Sequence, residues 1–283
     1  MRTSYLWIGL VVGTLLAFPC LTLGETAEQA FSKAEGLLSQ GDLEGALAAY
    51  AIAVRADREN QEYQQHYALL RRVISLRQYL DQEKDPQRFE YIARALHSFY
   101  VEQGIHSEAL TLNRQVHARL KTASSAMMLA ETALAMKRDA EAVEVLRALD
   151  GSQATPSTRA LLGVALARQG KLDDARQVAA NVVLPEDAGP GLMYRVARLH
   201  AATGNPAGAL GALTRCFESL PPSRSAGFKE HAGRCPDFAG LLATAGFAEV
   251  LRTESKVPES KCSGGSKCAG CPMRGGCPNS KGQ

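Results

Sequence analysis

Aromatic side chains are scarce in this sequence, 6% of 283 residues with a single Trp, and the β-branched residues Val, Ile and Thr are sparse. Ala and Leu dominate the hydrophobic 46% instead. Ala and straight-chain residues lose little rotamer freedom in a helix, whereas β-branched residues lose more. A large β-sandwich or a sheet-based α/β enzyme is therefore disfavoured. No charge of one sign prevails either: the net charge is +3, and residues 25–251 hold 25 basic against 27 acidic side chains. A near-neutral body offers no broad electrostatic footprint for nucleic acid. Nucleophile elbows, phosphate loops, His-Glu-x-x-His and paired-carboxylate sites are all missing. The six histidines are scattered, and no Cys-x2-Cys-His occurs, which excludes covalent haem. The expectation is no enzyme. The length suits one or two folded domains.

The longest apolar run is also short. Tyr5 to Phe18 is uncharged and apolar over 14 residues, and a bilayer-spanning helix needs about 20. Behind Met1-Arg2, and followed by Pro19 and small residues, this run reads as a secretory signal peptide over 1–24. Thr22 and Gly24 suit the −3 and −1 positions of cleavage before Glu25. The expected location is periplasmic or extracellular, with no stable membrane span after cleavage.

What the sequence does have is a period. Gln40-Gly41-Asp42 is followed by Ala46, Tyr50 and Ala53, and Gln103-Gly104 by Ala109 and Val116. Gln169-Gly170-Lys171 precedes Ala175, Ala179 and Val182, and Thr203-Gly204-Asn205 precedes Ala209, Leu213 and Cys216. A fifth segment, Lys137-Arg138-Asp139 with Ala142, Leu146 and Leu149, sets Arg where the others have Gly. Turn-to-turn spacings on that register are 63, 34, 32 and 34 residues. Each segment predicts a helix before the turn and one after it, with a small-residue stripe at helical spacing. The turn Gly suits a left-handed helix C-cap. One such hairpin cannot bury its apolar face alone, so neighbours must stack.

These residues resemble the tetratricopeptide repeat (TPR). Gln40 to Val54 is a close copy of the second-helix half of that motif, and Ala34, Gly163 and Ala197 match its mid-helix small residue, whereas His97 and Glu131 do not. The resemblance spans roughly 27–217. It implies an all-α protein, an α-solenoid (right-handed superhelix) of stacked helix hairpins. Two stretches depart from the pattern. Residues 61–89 are read as an irregular unit, one long helix ending near Asp85-Pro86. Past 217, Leu220-Pro221-Pro222 breaks the array, and Cys235 to Leu242 with Phe247 to Leu251 form a helical closing segment within 218–251 that covers the last apolar face.

The family binds partner peptides or domains on the face lined by first helices. Carried over residue by residue, that groove is Phe31 and Glu35, Arg94 and Ser98, Met128 and Thr132, Ala160 and Val164, and Tyr194 and Arg198. The family's clamp for a C-terminal carboxylate needs Lys and Asn where Phe31 and Glu35 stand, so that ligand is not expected. Arg94, Arg168 and Arg198 offer bidentate pairing to an acidic segment; solvated charge on helix faces is the alternative.

Residues 252–283 turn Gly-, Ser- and Lys-rich and carry Cys262-x5-Cys268-x2-Cys271-x5-Cys277. Four thiolates threaded with glycine can wrap one zinc tetrahedrally, and soft thiolates suit Cu(I) or an iron–sulfur cluster equally. In an oxidising compartment, pairing into two disulfides is as strong an alternative. Cys216 and Cys235 stand apart. A bridge between them would close an 18-residue loop, adding about 3 kcal/mol on the chain-entropy model, or Cys216 is simply a buried core residue. The sequence as a whole points to an exported, non-catalytic protein–protein interaction scaffold, with metal handling by the tail as the rival.

Overall fold

A computed structural model describes residues 25–259 of the chain. The segment 1–24, expected to be a signal peptide, and the four tail cysteines lie outside the described residues. Among those described there are 13 α-helices, one 3₁₀ turn and no strand. The fold is all-α, a solenoid of stacked helix hairpins. The chain divides into two compact units, 1–74 and 75–283.

The first unit holds α1 (Ala27–Ser39), α2 (Leu43–Ala56) and the start of α3 (Gln61–Gln82). Thr26 opens α1 with a reciprocal capping box to Gln29. Asp42 opens α2 by accepting from the Gly45 amide at 2.9 Å, satisfying an amide with no partner inside the helix. The α1–α2 seam is alanine: Ala30, Ala34, Ala46 and Ala53 are fully buried, which lets the two backbones approach closely. Beside it, Phe31 stacks on Tyr63 with centroids 4.7 Å apart and meets Tyr50 at 5.4 Å.

The second unit continues from the end of α3 into four hairpins. These are α4 (Pro86–Glu102) with α5 (His106–Leu120), α6 (Ala123–Ala135) with α7 (Asp139–Arg147), α8 (Pro156–Arg168) with α9 (Leu172–Ala180), and α10 (Pro190–Ala202) with α11 (Pro206–Glu218). The expected irregular helix over 61–89 needs a correction. It stops at Gln82, and Pro86 to Phe89 form the first turn of α4. Pro86 suits N1, where no intrahelical amide is lost, and the Asp85 carboxylate accepts from the Arg88 amide at 2.8 Å.

One turn recurs at every hairpin. Gly41, Gly104, Gly170 and Gly204 adopt positive φ of 71–84°. The residue after each donates its amide five residues back, as in Lys171 N to Leu166 O at 3.0 Å and Asn205 N to His200 O at 2.8 Å. That is the Schellman closure of a helix end. In the α6–α7 hairpin the left-handed residue is Lys137 (φ 57°) and Arg138 N reaches Ala133 O at 2.8 Å. The sequence register, which set Arg138 at the turn, was one residue too far along. With Lys137 there, Ala142 stands five residues on, as Ala46, Ala109, Ala175 and Ala209 do after their glycines.

First helices pack on one another from α6 to α8 to α10. Gly163 marks the closest approach: a Cβ there would sit 2.3 Å from Leu199 Cδ1. Beyond α11, α12 (Pro222–Arg234) and α13 (Ala245–Arg252) flank the 3₁₀ turn Pro236–Phe238. The 3₁₀ turn packs on α10 and α13 on α11, and Phe238 and Phe247 are buried. Each ring so buried stabilises by about 1.5–3 kcal/mol.

Candidate functional site

In the second unit, α12 stands off from the first-helix layer and leaves a cleft of ≈ 530 Å³. Glu131 of α6 and Tyr194, Arg195 and Arg198 of α10 line one side; Arg224, Phe228 and His231 of α12 line the other. The α12 residues fall at i, i+4 and i+7, one face of the helix. Gly191 and Gly227 keep the walls low. Phe228 meets Tyr194 edge-on, centroids 5.5 Å apart, and the Tyr194 hydroxyl lies 2.6 Å from His231 Nδ1. Burial, and then the neighbouring Cys235, push the Tyr194 phenol far above its ordinary value. Burial, with Arg198 beside it, lowers His231 below its ordinary value.

Arg198, which lines the cleft, belongs also to a buried charge clasp. Asp237, in the 3₁₀ turn, accepts from Arg168 Nε at one oxygen and Arg198 Nε at the other, both at 2.7 Å. Its side chain is 2% exposed. Burial alone would raise this carboxyl, but the two guanidiniums outweigh it and hold the group below its ordinary value. Arg168 also donates to Leu134 O at 2.8 Å and lies 3.8 Å from Asp139. One carboxylate thus ties α8, α10 and the closing segment together.

That arrangement corrects the sequence expectation for the arginines. The chain's own Asp237 takes both Arg168 and Arg198, and of the two only Arg198 lines the cleft. Arg94 pairs with Glu90 at 2.7 Å and donates to Ser124. Among the other expected groove residues, Ser98 is exposed, and Ala160 and Val164 are core. Thr132 is buried and accepts from Asn113 Nδ2 at 2.9 Å, while the Met128 carbonyl accepts from the same amide at 3.1 Å. Tyr194 and Arg198 do reach one cleft. Phe31 and Glu35 belong to the first unit, where the Glu35 carboxylate accepts from the Tyr50 hydroxyl and lies 3.1 Å from His66. Burial, then Glu35, raises the Tyr50 phenol well above its usual range.

Cys216 and Cys235 are both buried free thiols, so the bridge weighed above is not formed in this structure. Cys216 donates to Pro190 O at 3.3 Å, and burial pushes its thiol up to about 12. Cys235 Sγ points to Asp237 Oδ2 at 3.7 Å. The expected zinc, Cu(I) or iron–sulfur site at Cys262, Cys268, Cys271 and Cys277 lies outside the described residues.

Sequence reading missed Arg195, Arg224, Phe228 and His231. Glu131 was set aside as a mismatch to the repeat, yet it pairs with Arg195 Nε at 2.7 Å across the first-helix layer. Helix α12 falls within the helical closing segment expected over 218–251, but the sequence reading gave it no bounds and no cleft-lining role. Its signals were Pro221-Pro222, with Pro222 at N1, and buried Ser225 and Ala232 seven residues apart; Gly227 and Gly233 obscured them by lowering helix propensity.

No protein-family model matches the chain, and no curated protein matches it. Solved structures do. A tetratricopeptide repeat protein from Parabacteroides merdae ATCC 43184 is 18% identical, covering 81% of this chain and 99% of its own, with a TM-score of 0.41. YrrB, described as a TPR protein with an unusual peptide-binding site, is 20% identical over 68% of this chain and 86% of its own, TM-score 0.32. MamA protein is 14% identical over 76% and 97%, TM-score 0.33. The TPR-like class of the fold rests on the recurring hairpins described above.

Proposed function

We propose that the chain is a non-catalytic protein–protein interaction scaffold that works outside the cytoplasm and holds a partner segment in the cleft between α6, α10 and α12. The observation that carries this reading is the cleft itself: open, part aromatic and part charged, and built on a rigid layer of first helices. Its ionisable groups support binding over chemistry. Asp237 is locked between two arginines and Glu131 is engaged by Arg195, so both carboxylates already have partners within the chain. The short apolar start behind Arg2 supports export.

The test is photo-crosslinking in cells that make the protein, with p-benzoylphenylalanine placed at Gly227 in the cleft or at the exposed Glu44 of α2. A discrete adduct from Gly227, absent from Glu44 and found in the exported fraction, is the expected result. Adducts that are missing, or the same from both positions, overturn the reading. The rival, metal handling by the tail, rests on cysteine spacing, and elemental analysis of the purified full-length chain decides it.

A further inference from the structure

We propose that the cleft selects an acidic, extended segment of a partner protein, with Arg224 reading its carboxylate and the Tyr194–Phe228 wall taking an adjacent apolar side chain. This rests on the scaffold reading and adds the chemistry of the ligand.

The argument is one of charge left over. Four ionised groups line the cleft: Glu131, Arg195, Arg198 and Arg224. Glu131 neutralises Arg195 at 2.7 Å, and Arg198 is held by Asp237 beneath it. The guanidinium of Arg224 has no ion pair among the described residues, and it stands exposed on the cleft-facing side of α12. With those two pairs closed, Arg224 is the cation left over, and its free guanidinium offers a partner's carboxylate two parallel hydrogen bonds. The first turn of α12 already takes one from the chain itself. Glu259 accepts from the Ser223 amide at 2.6 Å and from its hydroxyl at 3.1 Å, so donors there suit acidic side chains. Beside these donors, Phe228 is only half-buried against Tyr194, leaving apolar area for a neighbouring side chain.

The chain's own tail is the wrong sign for this place. Residues 260–283 contain Lys261, Lys267, Arg274 and Lys281 and no Asp or Glu, so a cationic cleft disfavours them.

The experiment pans a phage-displayed library of random peptides against the full-length protein, then measures a fluorescein-labelled peptide of the enriched sequence by polarisation. Enriched peptides are expected to join Asp or Glu to Leu, Phe or Tyr. Binding is expected to fall at least about tenfold in Arg224→Glu, the scale of one charge-assisted contact, and to survive largely in Arg224→Lys. Arg224 is exposed, so circular dichroism of both variants is expected to match the parent. Neutral or basic enriched peptides, or equal affinity for Arg224→Glu, overturn the acidic ligand and leave the scaffold reading standing. So does equal competition by a synthetic 260–283 peptide. No enrichment of any sequence overturns the cleft as a binding site altogether.

Discussion

Lys137 holds a backbone conformation that its counterparts in the other four hairpin turns leave to glycine. A residue with a Cβ pays about 1–2 kcal/mol in the left-handed region, against roughly 0.5–1 kcal/mol of extra chain entropy that glycine loses on folding. The balance favours glycine. Lys137→Gly is expected to stabilise the second unit by about 0.5–1 kcal/mol, and Gly170→Ala to destabilise it by about 1 kcal/mol. Urea unfolding followed by circular dichroism reads both. The alanine penalty is purely backbone in origin, because nothing lies within 4 Å of a Cβ built on Gly170. A Lys137→Gly midpoint equal to the parent's would show that the α6–α7 turn relaxes away from φ 57° at no cost, and an unchanged Gly170→Ala midpoint would show the same of the α8–α9 turn. At this scale the turn chemistry was legible from the repeated Gln-Gly and Thr-Gly pairs. The slip by one residue at Lys137-Arg138 came from the absence of the glycine that marks the position elsewhere.

Among the elements, the hairpins were readable because their cause is local: small residues every four, a glycine, then an N-cap. The closing segment was readable from Phe238 and Phe247, whose burial needs a neighbour. What was not readable was the pairing of Asp237 with Arg168 and Arg198, 69 and 39 residues away in sequence. Nothing in a local pattern distinguishes an arginine that meets a ligand from one that meets its own chain. The consequence is measurable. Removing one partner from a buried ion pair strands the other charge and costs about 3–5 kcal/mol. Asp237→Ala strands two, so its loss in urea unfolding is expected at or beyond the top of that range. Arg168→Met with Asp237→Asn and Arg198→Met is expected to recover most of it. A single Asp237→Ala variant as stable as the parent would mean that the clasp contributes nothing.

On the acid side of neutrality, the buried histidines and Asp237 of the second unit act in one direction. Burial lowers His97, His117, His200 and His231 from their ordinary 6.5, so each binds a proton more readily when unfolded. Stability therefore rises with pH through the unfolded histidine range and is lost as pH falls through the lower folded values. Asp237, held below its ordinary 3.8, adds a second loss in stronger acid, in the same sense. Thermal melting is expected to be highest at about pH 7–8, to decline from about pH 6.5 downward, and to fall again below about pH 4. Replacing His97 and His231 by Gln is expected to flatten the first decline. A melting temperature unchanged between about pH 7 and pH 5 would count against neutral buried histidines.

The clasp also settles where this molecule can be shortened. A deletion that stops after Leu220 respects every repeat boundary, yet it leaves two guanidiniums facing the void from which their shared counter-ion was cut, beside the uncovered flank of α11. Engineers seeking a minimal version should carry the chain through Arg252, because the last repeat is completed by a residue that does not belong to it.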